Sequence, residues 1–80
     1  MHIGDRIKIK LHTYELTSHW DTPFGVIYLY TFRDCHDNIF IWKTPKFIEE
    51  NISTVTGRIK DIMWYNNTKE FVLNYCKINN

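Results

Sequence analysis

The strictest constraint on this chain is the alternation in its first strand-like run, Arg6-Ile7-Lys8-Ile9-Lys10-Leu11-His12. Ile7, Ile9 and Leu11 fall on one side of an extended backbone, and Arg6, Lys8, Lys10 and His12 on the other. Successive side chains of a strand point to opposite faces, so the segment reads as a half-buried strand with a basic outer side. An 80-residue chain has room for one core, so residues 1–80 form a single domain.

Further extended runs follow. "TSHWDTPFG" reads as a loop carrying Trp20, with Pro23 and Gly25 as punctuation. "GVIYLYTFRD" is rich in β-branched and aromatic residues and predicts a second strand. "CHDN" makes a turn, because Asp and Asn bond their own backbone and tolerate left-handed angles. "IFIWK" is a short third strand. In "TPKFIEENIS", Thr44 suits an N-cap and Pro45 the first helical position, where a missing N–H costs nothing. Phe47, Ile48 and Ile52 then predict a helix of about two turns, with Glu49 and Glu50 on its solvated side. The closing "TVTGRIKDIMWYNNTKEFVLNYCKI" reads as a hairpin turning at Asn66-Asn67. Val55 and Ile59 share one face across Gly57, and Arg58 and Lys60 share the other. The apolar parity changes between Ile59 and Ile62, which predicts a bulge.

The resulting fold class is all-β with one short helix. The order matches a five-stranded OB-fold Greek-key barrel, whose helix lies between strands three and four. A small SH3-like barrel is the runner-up, but it lacks a capped helix at that point. Particular residues add a resemblance. "YTFRDCHDNIFIW" resembles the hairpin between the second and third strands of many OB domains. The closing run resembles the last hairpin of a small OB-like domain found in phage and plasmid replication proteins. Thr56-Gly57, Ile59-Lys60, Tyr65, Leu73 and Cys76-Lys77 carry that resemblance, while Asn67, Phe71 and Tyr75 depart from its pattern. The resemblance implies single-stranded nucleic-acid binding in a mobile-element setting.

Face assignments decide which rings are free for a ligand. In the second strand Tyr28, Tyr30 and Phe32 form a wholly apolar set and point inward, leaving Arg33 outside. In the third strand Ile39 and Ile41 oppose Phe40 and Trp42. Both rings, added to Tyr28, Tyr30, Phe32 and Phe71, would overpack a small barrel. The expectation is therefore that Ile39 and Ile41 are core and that Phe40 and Trp42 face out. The expected nucleic-acid surface is then Lys8, Lys10, Trp20, Arg33, Phe40, Trp42, Trp64 and Tyr65. Rings would stack on bases and cations would track phosphates. A bland alternative stands beside each assignment. Trp42 can be core, Trp64 and Tyr65 can pack beneath their hairpin, and Lys8 and Lys10 can simply protect a strand edge.

Composition narrows the function classes. Ten Lys and Arg against nine Asp and Glu give a net charge of +1, so the total is uninformative about a polyanionic partner. Cys35 and Cys76 have no close-spaced partner and fit a reducing compartment. Charge arrives too early for a signal peptide and no apolar run suits a membrane, so the expected location is cytoplasmic. The crowded ligand types of Asp34-Cys35-His36-Asp37 lack the gaps that a zinc site needs. There is no positioned nucleophile, no Gly-rich phosphate loop and no cofactor motif, so an enzyme is not expected. The expected function is a non-catalytic module binding single-stranded DNA or RNA and accessory to replication of a phage or mobile element. Other replication proteins of that element and a second copy of the chain are expected as possible partners. The rival is a protein-interaction, oligomerisation or host-enzyme-inhibitor module using the same exposed rings.

Overall fold

The computed structural model describes residues 1–49 and 51–79 of the chain. The protein is all-β, with strands β1 (Arg6–Thr22), β2 (Gly25–Asp34), β3 (Ile39–Thr44), β4 (Thr54–Tyr65) and β5 (Thr68–Asn79). Hydrogen bonds join them into a closed ring in the order β1-β2-β3-β5-β4, and β4 returns to β1. Every neighbouring pair is antiparallel except β3–β5, whose parallel register runs from Ile39–Glu70 to Trp42–Leu73. Closure involves only Arg6–Lys10 of β1 against β4, so the outer parts of β1–β2 and of β4–β5 project beyond the ring as two hairpin arms.

The first strand is longer than the sequence suggests. Trp20, expected on a loop, pairs in register with Ile27 of β2, and the hairpin turns at residues 22–25 with Gly25 at φ 122°. Register shifts between Leu11 and Thr13 and between Leu16 and Ser18 explain the discrepancy. Each bulge flips the inward parity, so the alternation that is clean through Leu11 becomes unreadable after it. The β4–β5 turn is as expected. Asn66 and Asn67 both take positive φ, 48° and 63°, as a two-residue hairpin with the twist of its strands demands. The expected bulge in β4 is present as a register shift between Ile59 and Asp61.

The helix expected over residues 44–53 is absent among the described residues, and Glu50 lies outside them. Thr44 Oγ1 accepts the Lys46 N–H at 3.1 Å, a local turn that does not propagate. The segment instead drops Ile48 and Ile52 into the core. Its Ile48 N–H donates to the buried Tyr30 hydroxyl at 2.8 Å. A buried phenol needs a hydrogen-bond partner, and two anchored isoleucines outweigh the weak helical preference of so short a stretch. Among the described residues no helix is long and apolar enough to cross a membrane.

The ring interior also corrects the assignment of β3. Phe40 is 1% exposed and Trp42 9%, so both rings are core. Ile41 faces outward, and Ile39, although only 7% exposed, is not part of the central cluster. The overpacking argument fails because the rings nest. Tyr30 and Phe32 lie 6.3 Å apart and nearly parallel, Phe40 stacks on Phe71 at 5.4 Å, and Trp42 tilts against Phe32 at 6.3 Å. From β4 the inward residues Val55, Gly57 and Ile59 are all buried. The missing side chain at Gly57 is filled by Cys76: an added Cβ would sit 2.9 Å from its Sγ.

Candidate functional site

With β3 in its observed parity, the outward side chains of adjacent strands come together as a groove of about 570 Å³. Its floor is apolar: Leu29 from β2, Ile41 from β3 and Val72 from β5. The rows follow from register, since Thr31 pairs with Ile41, Ile41 with Val72 and Val72 with Asp61. One wall comes from the β1–β2 arm, where the Oγ1 atoms of Thr17 and Thr31 share a 2.6 Å hydrogen bond. Thr17 is the extra residue of the second β1 bulge, and that extra residue turns its hydroxyl toward Thr31. The other wall is the β4–β5 arm, with Met63 and Tyr65 standing on the groove side. Tyr65 is 67% exposed, so its ring is free rather than folded under the turn.

The groove carries charge of both signs. Lys43 and Lys60 lie on its rim together with Asp61 and Glu70. Asp61 Oδ1 also accepts the N–H of Ile62 at 2.8 Å, which fixes its orientation at the β4 bulge. Two long cations, a tyrosine ring and an apolar floor can hold a chain of flat rings and anionic links. The carboxylates can accept hydrogen bonds from exocyclic amino groups.

The expected site residues are dispersed. Tyr65 alone among them lines this groove. Trp64 is 68% exposed but follows Met63 and precedes Tyr65 on β4, so alternation directs it to the opposite side of the arm. Trp20 lines a separate shallow depression with Leu16, His19 and Phe47. Arg33 is exposed and in register with Ile39, beyond Thr31 on the outer side of β2. Lys8 and Lys10 are exposed on β1 opposite Thr56 and Thr54, away from the groove. Phe40 and Trp42 are excluded by burial. The residues that do line the groove, Leu29, Thr31, Ile41 and Val72, were missed because small aliphatic and hydroxyl side chains carry no chemical signal of their own. Only Ile41 depended on the parity of β3.

The turn between β2 and β3 is structural. Asp34 accepts hydrogen bonds at 2.9 Å each from the His36 N–H, the Asn38 N–H and Asn38 Nδ2. Burial pushes its pKa up, but the bonds from Asn38 and His36 outweigh this and hold the carboxyl below its usual value. Cys76 is governed by burial, which pushes its thiol up to about 12 against the opposing charge of Arg6. It is thus a neutral packing group rather than a nucleophile. Among the described residues no group of three or more His, Cys, Asp or Glu side chains is placed to hold a metal ion.

Comparison of the chain with known proteins found no matching family model, no matching curated protein and no matching solved structure.

Proposed function

We propose that this chain is an OB-fold barrel that binds single-stranded nucleic acid, DNA or RNA, non-catalytically in the groove over β2, β3 and β5. The observation that carries the reading is the groove itself. An apolar floor lies between two projecting hairpin arms, with Tyr65 exposed on one arm and Lys43 and Lys60 on the rim. The ring order and the parallel β3–β5 pairing agree with an OB topology, in which this side and these two connections take oligonucleotides. The resemblance of the last hairpin to phage and plasmid replication proteins favours an accessory role in replication of such an element, in the cytoplasm. It acts there beside other replication proteins, or as a homodimer.

A fluorescently labelled oligo-dT titrated at low and high salt tests this. Saturable binding that weakens steeply with salt is expected, because each phosphate neutralised on a single strand adds about 0.7 to the log–log slope. Absence of any polarisation change at tens of micromolar protein would contradict it. A second reading, docking of a partner protein, is favoured by one observation: the floor is aliphatic rather than aromatic, and Asp61 and Glu70 share the rim. An apolar protein interface would respond little to the same salt change.

A further inference from the structure

The near-neutral total of charge conceals a segregation. On the side of the ring away from the groove floor, the cations Arg6, Lys8 and Lys10 of β1, Arg58 of β4 and Lys77 of β5 are all exposed. Register brings them together. Arg6 stands directly opposite Arg58, and Thr56 is flanked by Lys8 on one side and Lys77 on the other. The outward positions between these cations are Thr54, Thr56 and Asn79, with no carboxylate. Nearby acids are committed elsewhere: Asp5 accepts the His2 N–H at 2.9 Å, and Asp34 is the acceptor of its own turn. Among the described residues none of these cations has an ion-pair partner within 4 Å. Like charges placed directly across a ladder destabilise a sheet, so the Arg6–Arg58 pairing costs stability unless an anion bridges it.

A second feature lies in the same patch. Tyr75 is the bulged residue of β5, between Asn74 opposite Arg58 and Lys77 opposite Thr56. Its φ is 53° and its side chain is 72% exposed. A bulky residue in the left-handed region is strained, and glycine is the residue that normally takes such a bulge. Backbone strain beneath an exposed ring is characteristic of binding sites. Lys60 lines the groove, and Arg58 precedes it by two residues on the same strand. The patch is therefore continuous with the groove.

We infer that the face formed by β1, β4 and β5 is a second nucleic-acid surface. A single strand leaving the groove past Lys60 crosses Arg58, stacks a base on Tyr75 and is held at its phosphates by Arg6, Lys8 and Lys77. The inference rests on the groove reading and sets its site size. A lipid surface fits less well, because the outward positions between these cations are threonines and an asparagine, and Tyr75 is a single ring among them rather than an apolar band.

Labelled oligo-dT of about 6 and about 16 nucleotides, near the limits of what one such domain covers, provides the test. The Arg58→Gln/Lys77→Gln variant should lower the salt slope for the longer oligomer by roughly 1.4, about 0.7 for each lost phosphate contact. It should leave the shorter oligomer bound within about twofold. Tyr75→Gly removes the ring while suiting the positive φ, and should weaken the longer oligomer by roughly fivefold or more. Circular dichroism would verify that both variants keep the strand spectrum. Unchanged slope and affinity for the longer oligomer, with Tyr65→Ala abolishing binding of both lengths, would overturn this surface and leave the groove standing. Equal loss of both lengths in the back-face variants would overturn a separate surface as well. Failure of the wild type to bind either length would remove both readings. Phosphatidylserine vesicles that sediment the wild type but not the double variant, without any oligomer-length effect, would assign the face to lipid instead.

Discussion

At the scale of single residues, Gly57 shows how closely the interior is filled. A methyl group there would meet Cys76 Sγ at 2.9 Å and the Asn74 carbonyl oxygen at 3.5 Å. Gly57→Ala should cost about 1–3 kcal/mol by overpacking. Combined with Cys76→Ala, most of that loss should return, which a double-mutant cycle in urea would register as a coupling energy between the two sites. A neutral Gly57→Ala would contradict the described packing. Trp42 is a comparable case. Its burial predicts a loss of about 3–5 kcal/mol for Trp42→Ala, a large share of the ~5–15 kcal/mol available to a small domain. A thermal melt that barely moves would instead return this indole to the surface. The residues of β3 show why sequence alone was insufficient. In Ile39-Phe40-Ile41-Trp42 both faces are apolar, so hydrophobicity could not choose between them. Volume reasoning chose wrongly because the nesting of Phe40 on Phe71 and of Trp42 against Phe32 joins residues of different strands and is invisible in a local pattern.

At the scale of elements, legibility followed the strength of the local signal. The hairpin turn at Asn66-Asn67 and the β4 bulge were readable, since positive φ and a parity change leave marks in the sequence. The outer half of β1 was not, because two bulges interrupt its alternation. The expected helix failed for a tertiary reason: among the described residues of this segment, Ile48 and Ile52 are buried in the core and the Ile48 N–H donates to the Tyr30 hydroxyl. Tyr30→Phe should therefore leave the Ile48 N–H without its acceptor and cost about 1–3 kcal/mol. Amide exchange at Ile48 should accelerate more than exchange in β2. Equal protection in both variants would show that the segment is anchored otherwise. The β2–β3 turn predicts a pH effect. The Asp34 pKa is lowered on folding, so its contribution is fully present above the ordinary value of 3.8 and is lost as pH falls through the folded value. The stability gap between wild type and Asp34→Ala, measured by urea titration, should be widest near neutral pH and close below that value. A gap that stays constant into acid would refute this role.

At the scale of the whole molecule, the ring gathers side chains that are far apart in sequence. Leu29, Ile41, Val72 and Tyr65 reach one groove only because β3 runs parallel to β5 and the two arms flank them. The five-strand all-β architecture was legible from the order of extended runs. The site was legible only in part, because its position depends on register rather than on residue type. Tyr65 was identified by its place before a turn, whereas the aliphatic floor was hidden among ordinary strand residues. The central claim is that this groove is where a single strand lies. Two-dimensional NMR of the labelled protein, titrated with a short oligo-dT, tests that most directly. The account predicts shift changes concentrated in the methyl signals of Leu29, Ile41 and Val72 and the amides of Thr31 and Tyr65. Changes confined to Trp20 and the β1–β2 tip, or none at saturating oligomer, would contradict it.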